Sequence, residues 1–162
     1  MKKLLITCLV FTTAFTFAQE ITGRTRTNDK YSNTLKAMTE QYLKNDFTLF
    51  EETYADDAIL DINGERFTKS ELMQGFSMHH LLYENIELPN FTETTFYDEN
   101  NNNTVWSHQW GWWQGTSKNS GKRAEPNPLN VSFKWVDGKI VQASWIYDPT
   151  DLNAEINAVS KK

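Results

Sequence analysis

The chain reads as an α+β fold in which helices come first and a mostly antiparallel sheet follows, and three observations predict it. Helical spacing of apolar residues, in Leu35, Met38 and Tyr42 and again in Leu72, Met73 and Phe76, is confined to the first half. β-Branched and aromatic residues dominate from Ile86 onward, with all six tryptophans between Trp106 and Trp145. Asp137-Gly138 separates two such runs at the spacing of a tight hairpin turn.

Lys2-Lys3, the apolar stretch Leu4 to Phe17 and Ala18 follow the order of a secretory signal, so residues 1–18 are expected to be cleaved after Ala18. The stretch falls short of the roughly 20 residues a bilayer span needs. The expected product is a soluble exported protein, periplasmic or secreted, with no membrane partner once the signal is gone. Cys8 is the only cysteine and lies in the signal, which leaves the mature chain without a disulfide or a cysteine-based metal site. Sixteen basic residues less Lys2 and Lys3 leave fourteen against twenty-one acidic ones, a net charge of −7 over 144 residues. That balance argues against nucleic acid and anionic membrane as partners, and the length suits one domain.

Residues 19–30 are polar and aperiodic, as in a loose leader; the domain is drawn over 31–155, with 156–162 as a tail. A first helix spans about Tyr31 to Lys44, and Asn45-Asp46 ends it and caps a short second helix marked by Phe47, Leu49, Phe50 and Tyr54. Asp57 to Ile62 turns to strand and closes at Asn63-Gly64. Thr68 or Ser70 caps a third helix, with Glu71 in its first turn, that runs to about His80. Strands over Ile86 to Tyr97, Val105 to Gly115, Asn130 to Val136 and Ile140 to Tyr147 then form a meander. Its connections are a polar tip at Asp98 to Thr104 and a longer loop, 116–128, expected to lie in solvent.

Within one strand Trp106, His108, Trp110 and Trp112 alternate with Ser107, Gln109, Gly111 and Trp113, so each set shares a face. Aromatic rings around one titratable imidazole have the make-up either of a small-molecule site or of a core around a histidine satisfied by one buried hydrogen bond. Three histidines without a His-x-x-x-His or Glu-x-x-His pair give no metal site. There is no glycine-rich phosphate loop and no Gly-x-Ser-x-Gly elbow, and no cofactor is expected.

Asp46 to Gly64, centred on Ala55-Asp56-Asp57-Ala58, and Phe133 to Asp148, with Asp137-Gly138-Lys139-Ile140-Val141, resemble the SnoaL-like branch of the nuclear-transport-factor-2-like superfamily. The resemblance spans about Leu35 to Leu152. It implies a curved sheet wrapped with about three N-terminal helices into a cone around a pocket. The pocket would be lined by Trp106, Trp110, Trp112 and His108, by Leu60 and Ile62 of the first strand and by Met38 of the first helix. Ketosteroid isomerases of this superfamily use a helix-one tyrosine and two strand aspartates; Met38, Ile62 and Val131 fall at those positions and none can move a proton. Scytalone-dehydratase-like members use a histidine after the third helix, one in a following strand and an asparagine near the penultimate strand. His80, His108 and Asn130 match that set in part and are the implied catalytic residues. In SnoaL-like cyclases a pocket acid is needed, for which Asp148 is the candidate.

Two functions follow. One is an exported protein that binds a hydrophobic or aromatic small molecule in an aromatic-lined pocket. The alternative is a cofactor-independent lyase, isomerase or cyclase with His108 as general acid/base. Because the fold often dimerises through its sheet, the resemblance also implies a homodimer formed that way.

Overall fold

The structure, a computed structural model, describes residues 23–160; the expected signal peptide and the start of the leader lie outside them. An edge strand, β1 (Arg24–Arg26), comes first and pairs with the strand around Thr95, where the sequence reading had only a loose leader. Asp29 then accepts the Ser32 N–H at 2.9 Å and caps α1 (Lys30–Leu43), whose buried stripe is Ser32, Leu35, Met38 and Tyr42. The short α2 (Thr48–Thr53) leads directly into β2 (Tyr54–Ile62). Asn63 and Gly64, at φ 52° and 91°, turn the chain into β3 (Glu65–Phe67).

A capping box starts α3 (Lys69–Leu82): the Thr68 hydroxyl accepts the Glu71 N–H, and the Glu71 carboxylate accepts the Thr68 N–H at 2.7 Å. The expected strand from Ile86 to Tyr97 is two strands, β4 (Tyr83–Glu87) and β5 (Thr92–Asp98). Pro89, which cannot donate to a ladder, and Asn90, at φ 54°, break it. The meander continues through β6 (Thr104–Ser117), β7 (Asn127–Val136) and β8 (Lys139–Tyr147). Asp137 and Gly138 both take left-handed backbone (φ 49° and 82°), the twist a two-residue hairpin turn requires. A fourth helix, α4 (Thr150–Ser160), crosses the boundary drawn at 155, so the described helices number four rather than about three.

The sheet is open and ordered β1-β5-β6-β7-β8-β2-β3, with β4 beside the C-terminal end of β6. Every pair is antiparallel except β2 with β8. Helix α1 packs on β5 and β6, and α3 on β2, enclosing a core around Leu35, Leu60, Leu72, Ile140 and Ala143.

A chain of buried hydroxyls fixes how close α1 comes. Trp135 Nε1 donates to Ser107 Oγ, Ser107 Oγ lies 2.9 Å from Thr95 Oγ1, and Thr95 Oγ1 lies 2.9 Å from Ser32 Oγ on the helix. At the other end Ser32 Oγ donates to Arg26 O at 3.3 Å, so Ser32 accepts from Thr95, Thr95 accepts from Ser107, and the links share one direction.

Candidate functional site

A cavity of about 440 Å³ lies between the inner face of the sheet and helices α1 and α3, with Asp151, Leu152 and Ile156 of α4 on its border. Its walls are mainly apolar, among them Met38, Phe50, Phe76, Val131, Phe133 and Trp145. Among the described residues the ionisable ones in the wall include Glu71, Glu125, Asp151 and His79, but neither Lys nor Arg. A concave, mainly apolar space with few polar groups is the usual form of a small-molecule site.

The polar groups are arranged through α1. Trp113 Nε1 donates to Tyr42 Oη at 2.7 Å, and Tyr42 Oη lies 2.9 Å from His79 Nδ1. Tyr42 is buried (6% exposed), which pushes its hydroxyl well above the ordinary phenol range. His79 is packed edge-on against Trp113 and Tyr42 and reaches solvent in part. Burial first, and the neighbouring His80 second, bring His79 down to about 4, so it is neutral at physiological pH. Gln109 gives its amide N–H to Thr39 Oγ1 at 2.9 Å and to Leu35 O at 3.5 Å. It sits opposite Glu93, whose carboxyl is raised by burial and lowered in part by Lys36 and by Gln109 itself.

The expected site does not assemble. Met38 and Ile62 line the cavity, while Leu60 is fully buried in the core without joining the wall. Strand β6 presents the opposite face from the one expected: Ser107, Gln109, Gly111 and Trp113 point inward, and Trp106, His108, Trp110 and Trp112 point out. Trp110 and Trp112 remain 40% and 39% exposed. The reason is space. Ser107 sits in the hydroxyl chain beneath α1, and a Cβ on Gly111 would overlap Phe91, so a tryptophan fits neither place.

His108 is half-buried on the outer face, lowered by that burial, and paired with Ser132 Oγ at 3.1 Å rather than with His80 or Asn130. Asn130 is exposed, opposite Trp110. His80 packs on Tyr42 and Phe47 outside the wall, its Nε2 buried without a partner among the described residues. The histidine in the wall is the preceding one, His79, and the α1 tyrosine in the wall is Tyr42, one turn beyond Met38. Both were visible in helical spacing, as Leu35-Met38-Tyr42 and Leu72-Phe76-His79.

Met38, Ile62 and Val131, the positions matched to the ketosteroid isomerase residues, all line the cavity with apolar side chains. Asp148 is exposed and accepts from Thr150 N and Oγ1 at the start of α4, a turn role. Loop 116–128, expected in solvent, borders the cavity through Ala124 and Glu125. Bonds from Ser117 N to Lys122 O and from Ala124 N to Gly115 O, both 2.8 Å, fold it back onto β6. Among the described residues no three His, Cys, Asp or Glu side chains gather as a metal site.

No family model and no curated protein matches the chain. Solved structures do. A candidate isomerase from Bacillus subtilis superposes with a TM-score of 0.55 at 18% identity, over 77% of this chain and 91% of its own. A candidate polyketide cyclase from Pseudomonas putida gives 0.57 at 18% identity, over 77% and 96%. A protein with a ketosteroid isomerase-like fold from Catenulispora acidiphila, solved with trimethylamine, gives 0.55 at 11% identity, over 75% and 90%. At such identities the likeness is one of fold: this chain is built as those cyclase-like and isomerase-like proteins are.

Proposed function

We propose that the protein binds a hydrophobic or aromatic small molecule in the cavity between the sheet and helices α1, α3 and α4, and does so outside the cytoplasm. The observation that carries the reading is the cavity of about 440 Å³ whose mainly apolar wall holds a neutral, hydrogen-bonded imidazole. Export is supported by the Lys2 to Ala18 segment. A homodimer through the outer sheet face is supported by the exposed Trp110, Trp112 and Ile146.

A second reading is a cofactor-independent isomerase or cyclase. The Trp113, Tyr42 and His79 series in the wall favours it, as do the names carried by the structural neighbours. His108 has no part in it, because it faces away from the cavity.

Gly75 offers the test. It lines the cavity, and a Cβ added there meets nothing within 4 Å. Gly75→Trp should therefore fill the space without disturbing the core. A fluorescent naphthalene probe should bind the wild type saturably and the variant at least about tenfold more weakly, roughly the loss of one good contact surface. Equal affinity in two equally stable proteins would defeat the assignment of this cavity.

A further inference from the structure

The hydrogen-bond series behind His79 has only one consistent proton arrangement. An indole N–H donates and never accepts, so the Tyr42 oxygen is the acceptor in its 2.7 Å bond with Trp113. Tyr42 has one proton left to place, and its other neighbour within hydrogen-bonding distance is His79 Nδ1 at 2.9 Å. If Nδ1 carried the imidazole proton instead, the hydroxyl proton of a buried tyrosine would have no acceptor, an expensive arrangement. Nδ1 is therefore bare, and a neutral imidazole must hold its proton on Nε2. Among the described residues Nε2 has no hydrogen-bond partner, and His79 stands in the cavity wall.

We infer that His79 serves the cavity as a fixed Nε2–H donor, so that the ligand is an uncharged hydrophobic molecule carrying an acceptor oxygen, a ketone or ester carbonyl. The remainder of the wall agrees. Among the described residues no Lys or Arg lines the space to balance a carboxylate or phosphate, while Glu71, Glu125 and Asp151 repel one. A protonated amine has no acceptor to offer Nε2–H. The same tautomer decides what His79 can do in the second functional reading: with its outer nitrogen already protonated, it polarises a carbonyl and does not remove a proton. This inference rests on the cavity being the ligand site.

The test compares acetylnaphthalene, ethylnaphthalene and naphthoate, three probes of one shape that differ in acceptor and charge, on wild type and His79→Phe. The wild type should prefer the ketone to the hydrocarbon by about tenfold, the worth of one hydrogen bond. It should take naphthoate least of all. His79→Phe should bind ketone and hydrocarbon alike, the ketone having lost its tenfold advantage. If neither uncharged probe binds, the cavity reading itself fails. If both bind the wild type equally, or if naphthoate binds best, the cavity stands and the donor assignment falls. Nitrogen NMR of the wild-type imidazoles reads the tautomer without a variant: a proton on Nε2 of His79 supports the inference, and one on Nδ1 overturns it.

Discussion

Thr95→Val isolates what the buried hydroxyls contribute to seating α1. Valine keeps the shape of threonine, so the change deletes one oxygen and little else. Thr95 is 0% exposed, and its Oγ1 stands 2.9 Å from both Ser32 Oγ and Ser107 Oγ. Two hydrogen bonds are lost, at about 0.5–1.5 kcal/mol net apiece. The Ser107 proton is also stranded, because the Trp135 indole already occupies the acceptor side of that hydroxyl. The expected loss is about 2–3 kcal/mol. Urea denaturation should show it as a lower midpoint at unchanged slope, and thermal melts as a fall of roughly 5–10 °C. Adding Ser107→Ala should then cost less than it does alone, since it removes the stranded group. A loss under about 0.5 kcal/mol, or strict additivity of the pair, would refute the directional chain.

Two further outcomes concern single residues. Burial alone would raise the Asp29 carboxyl, but the Tyr97 hydroxyl and the Ser32 N–H, both donating to it, bring it below its ordinary 3.8. A folded value below the unfolded one means that its stabilisation is complete above the unfolded value and is lost as pH falls through the folded one; Asp29→Asn should flatten that acid limb, and urea midpoints that fall with acid identically in both proteins would show that Asp29 has no share in it. His108→Ala should leave affinity for a cavity ligand within about twofold while costing about 1 kcal/mol, as expected for a lone side-chain bond to Ser132, whereas a hundredfold loss of binding or turnover in titrations of the variant would return His108 to the site.

Local chemistry was readable and distant packing was not. The Asn63-Gly64 and Asp137-Gly138 turns, the Thr68 capping box and the stripe on α1 each depend on residues within a few positions of one another, so the sequence displays them. Strand β1 is different: Thr25 is a strand residue because Phe96 pairs with it, and nothing near Thr25 announces that. Helix α4 buries no residue fully, so it carried no strong apolar stripe to read. The candidate site failed for a related reason. A period of two shows which residues of β6 share a face but not which face the core covers. The tryptophans suggested one answer. The decision lay with Phe91 against Gly111 and with the hydroxyl chain that carries α1 onto Ser107, contacts made from other parts of the chain.

The parallel pairing of β2 with β8 sets a timetable for assembly. It joins Leu60 to Ala143 and Ile62 to Trp145 across more than eighty residues. The helices and strands made first therefore wait for the last strand before their side of the sheet is complete, and such long closures place folding in the slow, millisecond-to-second range. A chain ending before Lys139 lacks all nine residues of β8, which leaves β2 and β7 each with an unpaired flank. Free flanks of that kind join to other molecules. The protein is thus most exposed to self-association during its synthesis or after a C-terminal cut, and the final strand protects two edges at once.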